Sequence, residues 1–221
     1  MKISNDTIKI LQNFATINPN VVLSPGKQVK TISEAKNIFA SAQIAEEFNN
    51  ELGIYDLSEF LSVLSLIEAP SLEHENKVIH IKSESNKAGI KYACANPEIL
   101  TTPNKDIKDP EYDVSFDLKH SVIKSIQRAA SILKYDNFSF KSEAGSEDIL
   151  VTVSDPKNSS SNVYSEVVGT TGTEDEFEFT FVIANLKLIP GDYRVNLSAR
   201  LISKWEAVDV PVTYWIAIET Y

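Results

Sequence analysis

Apolar residues recur along this chain with two different periods, and the period switches repeatedly. From about Ser4 to Ile17, the positions Ile3, Ile10, Phe14 and Ile17, with Thr7 between them, follow helical spacing and predict an α-helix. Asn18-Pro19-Asn20 stops it. VVLS, KQVKTIS, NIFASAQIA and ELGIY come next, each short and bounded by turn-type residues, as the strands of a meander are. A second helix is expected to start at Asp56, where Asp56 and Glu59 make a capping-box-like pair. Leu57, Phe60, Leu61 and Leu64 would form its buried face and Ser58, Ser62 and Ser65 the other, with Ala69-Pro70 ending it. KVIHIKS and AGIKYACA return to strand character.

Residues 96–113, NPEILTTPNKDIKDPEYD, hold three prolines and neither period, and predict an extended connector. Beyond it the order of elements repeats. DVSF is a short strand, residues 118–134 are a helix, and NFSFKS, ILVTVSD, NVYSEVVG and EFEFTFVI are strands. A short helix is expected around Ala184 to Ile189, ending at Pro190-Gly191, and YRVNLSARLI, WEAVDV and TYWIAIE close the chain as strands. Each half reads helix, strands, short helix, strands. The expected fold class is therefore α+β, with two similar domains, each packing two helices on antiparallel sheet. The boundaries are an N-terminal domain at 1–95, a connector at 96–112 and a C-terminal domain at 113–221.

Charge changes this picture at one element. The chain is acidic overall, with 21 Lys+Arg against 31 Asp+Glu, and such a balance ordinarily argues against nucleic acid as a partner. Yet LKHSVIKSIQRAASILK, residues 118–134, contains no carboxylate. On a helix, Leu118, Val122, Ile126, Ala129 and Leu133 would form an apolar stripe, and His120, Lys124 and Arg128 a row on roughly the opposite side. The predicted helical segments 4–17, 57–67, 118–134 and 183–189 together hold Lys9, Lys119, Lys124, Arg128, Lys134 and Lys187 against only Asp6 and Glu59. The acids collect instead in strands and loops, at 46–51, 106–113 and 174–178. Positive helices in acidic surroundings can hold phosphate on one face and repel it from the others.

Other chemistry is not written in the chain. No apolar run approaches the roughly 18 residues that span a bilayer, so no membrane partner is expected. The start, MKISNDTIKILQNF, has polar residues breaking its apolar ones and does not read as a signal peptide. Cys94 is the only cysteine, which excludes an intrachain disulfide and fits a reducing compartment. No glycine-rich phosphate loop is present. His74 and His80 lack a metal-site spacing, Cys94 has no nearby histidine, and the acid clusters lack an EF-hand pattern. The sequons NDT, NFS, NSS and NLS carry no weight without a secretory signal. Neither metal, cofactor nor catalytic residues are expected.

NFATIN at 13–18, IYDLSEFLSVLSL at 54–66, PNK at 103–105, ANLKLIPGDYRVNL at 184–197 and the closing YWIAIE resemble the sliding clamps of T-even-like bacteriophages, the DNA polymerase processivity factors. The resemblance covers nearly the whole chain in the family's order. It implies a non-catalytic homotrimeric ring of six similar domains, helices lining the hole and sheets outside. It also implies duplex DNA, held without sequence preference, a DNA polymerase and a clamp loader as partners, in the cytoplasm of an infected bacterial host. By helix position and charge, the DNA-facing residues would be Lys9, Lys119, His120, Lys124, Arg128 and Lys187, with Lys2 and Lys134 at the margin of the set. A partner peptide would enter an apolar pocket of Ile99, Leu100 and Ile107 from the connector and Trp215 and Ala217 from the last strand. Subunits would meet through one edge with Ile90 and Tyr92 and another with Val163, Tyr164 and Val167. The alternative is a non-catalytic α+β protein-interaction module of a virion or regulatory complex that does not bind DNA. A hydrolase built on a carboxylate cluster is a third class.

Overall fold

The computed structural model describes every residue except Asn76, Asn86, Asn104, Ser159 and Tyr221. Asn104 of the PNK stretch and Ser159 of the NSS sequon thus lie outside the described residues. The chain forms two compact units, Met1–Asp106 and Ile107–Tyr221, so the division falls inside the 96–112 segment.

In the first unit, α1 (Asn5–Ile17) buries Thr7, Ile10, Leu11, Phe14 and Ile17. Ser4 caps it by accepting a hydrogen bond from the Thr7 N–H at 3.2 Å. A second acceptor comes from afar: Glu46 takes the Ser4 N–H on one carboxylate oxygen and the Thr7 hydroxyl on the other. Ile3, expected on the buried face, precedes the helix. Asn18 ends α1 in an extended conformation, and its buried side chain donates to the Ile32 carbonyl at 2.7 Å.

Val21–Leu23 (β1) pairs antiparallel with Leu52–Ile54 (β4), and Gly26–Ile32 (β2) with Ile38–Phe48 (β3). Helix α2 (Leu57–Ser65) begins at Asp56, whose carboxylate accepts the Glu59 N–H at 2.9 Å, and buries Leu57, Phe60 and Leu64. It stops two residues short of the predicted segment 57–67, because residues 66–69 form a turn that finishes with Ala69 at φ 47° before Pro70. Pro70–Glu75 (β5), Val78–Ser83 (β6) and Gly89–Ala93 (β7) form a three-stranded meander. The pattern of SLEHE did not announce β5, which buries only Leu72.

In the second unit, two sets of four antiparallel strands enclose an aromatic core. The first has the order β11 (Tyr164–Thr170), β10 (Asp148–Val153), β9 (Asn137–Ser142), β12 (Phe177–Val182). The second has the order β15 (Val212–Ala217), β14 (Ile202–Ala207), β13 (Tyr193–Ser198), β8 (Val114–Leu118). Between them Phe138 stacks on Phe181 with centroids 5.1 Å apart, and Phe116 meets Phe140 edge-on at 4.9 Å. Trp205 is fully buried against Phe140, Phe181 and Tyr193, and its indole N–H donates to Ser203 at 2.8 Å. Aromatic pairs of this geometry add about 0.5–1.5 kcal/mol each beyond their area.

Three predicted boundaries move. Helix α3 spans His120–Leu133, and Leu118 belongs instead to β8, buried opposite Tyr193. A turn at 199–201, with Leu201 at φ 62°, splits the single strand expected in YRVNLSARLI into β13 and the start of β14. The short helix expected at Ala184–Ile189 is a single 3-10 turn, Ile183–Asn185. A six-residue segment makes too few helical bonds to offset nucleation. Its backbone bonds elsewhere: the Ile189 N–H donates to the Tyr214 hydroxyl at 3.1 Å, and the Tyr193 hydroxyl donates to the Ile189 carbonyl. Lys187 therefore lies on a loop and not on a helix.

Candidate nucleic-acid interface

Helix α3 packs on β9 and β10 through Val122, Ile123, Ile126, Ala129 and Ala130. Its outward positions include Lys124 and Arg128, both exposed and neither with a carboxylate partner among the described residues. They stand four residues apart, about 6 Å along the axis. Like charges at this spacing cost an isolated helix a few tenths of a kcal/mol. An unpaired cationic pair that weakens its own helix is useful when an anion arrives.

The start of α3 is built differently. Lys119 occupies the N-cap but makes no side-chain cap bond. The β8–β13 register, Tyr193 opposite Leu118, brings Asp192 beside it. One Asp192 oxygen accepts the His120 N–H at 2.9 Å and the other pairs with the Lys119 ammonium at 2.8 Å. Lys119 and the His120 amide together hold the Asp192 carboxyl below its ordinary pKa, and the same contact with Asp192 raises Lys119. The His120 Nδ1 is buried without a partner among the described residues. Its ring borders a groove of about 290 Å³ between α3 and Leu186, Leu188, Ile189 and Pro190.

In the first unit, Lys9 is exposed on α1 and pairs with Asp6 at 3.2 Å. The groove between α1 and α2 is uncharged, lined by Gln12, Ala15, Ser58, Leu61, Ser62 and Ser65. The Ser62 and Ser65 hydroxyls donate back to the Ser58 and Ser62 carbonyls. The helices proper thus hold three basic residues, Lys9, Lys124 and Arg128, against two acids, Asp6 and Glu59. This is a smaller surplus than the predicted segments imply, because Lys119 and Lys134 are caps and Lys187 is on a loop.

The expected partner-peptide residues divide between the units. Leu100 is buried in the first, close to Gly53, where a Cβ would meet the Ala95 carbonyl oxygen at 2.5 Å; only glycine lets that backbone approach. Ile99 beside it is 71% exposed. In the second unit, β15 alternates as predicted: Tyr214 and Ile216 are buried, while Trp215 and Ala217 are half-exposed. Asp109, two residues past the half-buried Ile107, accepts the Trp215 indole N–H at 2.9 Å and the Lys204 ammonium at 2.7 Å. Lys204 also lies 5.8 Å from the Trp215 ring centroid. Burial would raise the Asp109 pKa, but hydrogen bonds from Lys204, Trp215 and Tyr112 outweigh it and leave a net lowering. Sequence reading counted Asp109 only as one of an acid cluster. Its role depends on a contact 106 residues away in the chain, which no local pattern encodes.

The strands expected at subunit edges are both edge strands of their sheets, β7 after β6 and β11 beside β10. Ile90 and Tyr92 are half-buried, and the Tyr92 ring meets Phe60 at 5.1 Å. Val163 and Val167 are 58% and 54% exposed, and Tyr164 donates to Glu166.

Residues 4–94 match the family model for the DNA polymerase processivity factor, and residues 115–220 match that for the C-terminal part of the gp45 sliding clamp. The chain is 30% identical over 222 residues to the sliding clamp of Vibrio phage KVP40, covering 99% of each. It belongs to the sliding-clamp family. The clamps of Escherichia phage RB69 and Enterobacteria phage T4 are 30% and 29% identical over 99% and 90% of this chain, covering 97% and 88% of those proteins.

The fold is that of a clamp as well. PCNA from Entamoeba histolytica superposes with a TM-score of 0.71 at 12% identity, over 97% of this chain and 95% of that one. A. fulgidus PCNA, solved with the C-terminal region of FEN-1, gives 0.70 at 16% identity over the same shares. As a processivity factor this clamp is a partner of DNA polymerase and not an enzyme, and the reading as a virion or regulatory interaction module gives way. Among the described residues no cluster of three or more His, Cys, Asp or Glu is placed to hold a metal, and no helix is long and apolar enough to cross a membrane.

Proposed function

We propose that this clamp assembles as a homotrimeric ring around duplex DNA, is placed there by a clamp loader, and works in the cytoplasm of the infected host. The observation that carries the reading is the exposed, unpaired Lys124–Arg128 pair on a carboxylate-free helix of an acidic chain. Phosphate contacts of this kind hold the duplex without reading its sequence. A ring retained by topology needs only a few of them, and the acidic remainder discourages binding by other surfaces. The ring would close by pairing the β7 edge, with Ile90 and Tyr92, against the β11 edge, with Tyr164, Val167 and the preceding Val163. A polymerase or loader peptide would dock on the outward face of β15, at Trp215 and Ala217. The double variant Lys124→Ala/Arg128→Ala is expected to lose retention on nicked circular DNA while its mass in solution stays that of a trimer. Retention equal to the unaltered clamp would overturn the assignment of this face.

A further inference from the structure

The basic residues near the two longest helices are not equivalent, and one carboxylate accounts for the difference at α3. Lys119 is exposed and stands at the mouth of that helix, yet its ammonium is 2.8 Å from Asp192. The same carboxylate fills the first helical amide, that of His120. A helix N-terminus beside a lysine is otherwise a ready site for a phosphate. The placement is fixed by the fold, since Pro190-Gly191 turns the chain and the β8–β13 register sets Asp192 against Lys119. The first unit repeats the arrangement: Glu46 occupies the Ser4 amide and the Thr7 hydroxyl at the start of α1, and Lys9 is paired with Asp6.

Resting on the reading of α3 as a DNA-facing helix, we propose that Asp192 is a positioning residue that withholds Lys119 and the α3 N-terminus from phosphate, so that each protomer's α3 offers the duplex only Lys124 and Arg128. An internal carboxylate here stands where a DNA phosphate would otherwise bind. It keeps the grip loose enough for sliding, because each added cation in contact with phosphate deepens the salt-dependent hold on DNA.

Asp192→Asn is the informative variant, since the amide oxygen still accepts the His120 N–H and only the ion pair is lost. The measurement is the affinity of the free clamp for a short duplex, by fluorescence anisotropy across a series of NaCl concentrations. Asp192→Asn should bind more tightly at low salt, with a log–log salt slope steeper by up to ~0.9 per protomer. Adding Lys119→Ala should return the slope to that of the unaltered clamp, and Lys119→Ala alone should leave the slope unchanged and weaken binding less than Lys124→Ala does. Glu174→Gln, which removes one acid from the exposed loop before β12, controls for net charge and should leave the slope unchanged. A purely structural role for Asp192 would move the melting temperature and not the slope. An unchanged slope in Asp192→Asn, an equal change in Glu174→Gln, or a loss of affinity in Lys119→Ala as large as in Lys124→Ala would each overturn the proposal. Failure of the underlying reading is separate: there, Lys124→Ala/Arg128→Ala would bind the duplex as well as the unaltered clamp.

Discussion

Single side chains in this clamp act according to the carboxylate that holds them. Glu46 is an example with a measurable pH signature. Partial burial would raise its pKa, but the bonds from Thr7 and Ser4 outweigh that and leave it below the ordinary 4.5. A carboxylate lowered on folding stabilises the native state above its unfolded pKa, and that contribution is lost as pH falls through the folded value. Glu46→Gln should therefore cost about 1 kcal/mol at neutral pH, the size of a lost N-cap interaction. In denaturant titrations the gap from the unaltered clamp should close as pH drops below 4.5; a gap independent of pH would show that the charge is not the source. The two tryptophans make a second contrast. Trp205 is fully buried among aromatics, so Trp205→Ala should destabilise by about 3–5 kcal/mol. Trp215 sits on the outward face of β15, fixed by Asp109 and Lys204. Trp215→Ala should fold nearly as well but lose polymerase-peptide affinity by about thirtyfold, as loss of an interface anchor worth about 2 kcal/mol does. If instead Trp215→Ala melted like Trp205→Ala and bound peptide normally, Trp215 would be a packing residue.

At the scale of elements, α3 joins a packing face to a binding face, and the two have opposite preferences. Lys124→Ala removes a like-charge i, i+4 pair and installs the best helix former, so it should raise stability by a few tenths of a kcal/mol. The same change should lower affinity for DNA. Calorimetry and duplex titration of one variant would check both signs, and a drop in stability would mean that Lys124 has a native partner. The buried face of α3 was legible because helical periodicity is local: Val122, Ile126 and Ala129 lie where the spacing put them. The strand alternation of β15 was legible for the same reason. Helix ends were less so. Leu118 fits a helical stripe by spacing alone, but pairing with Tyr193 draws it into β8. The turn at 199–201 was hidden because Leu201 carries none of the residues that usually mark a positive φ. The carboxylates that organise the site, Asp192, Asp109 and Glu46, act on residues 39 to 106 positions away. Only the tertiary fold brings such pairs together, and a single sequence does not display it.

For the whole molecule, the proposed ring places its largest demand on two strand edges. An unpaired edge strand presents backbone donors and acceptors to any passing strand, and proteins that stay monomeric usually blunt such edges with charge, proline or a cover. Here β11 carries Val167, and Val163 immediately precedes it, both more than half exposed beside its free edge. A solvent-facing edge gains nothing from two exposed valines, whereas an interface buries them. Each apolar side chain buried in this way contributes on the order of 1.5–3 kcal/mol. Val167→Lys should accordingly convert the trimer to monomer at micromolar concentration, read by light scattering as a threefold fall in mass, with secondary structure by circular dichroism intact. Retention on nicked circular DNA should vanish with the ring, although Lys124 and Arg128 are untouched. The converse variant, Lys124→Ala/Arg128→Ala, should lose retention while staying trimeric. The two losses thus have separable causes, an open ring in one and a ring without its phosphate contacts in the other. A Val167→Lys protein that remained trimeric and stayed on the circle would show that β11 is not where the subunits meet.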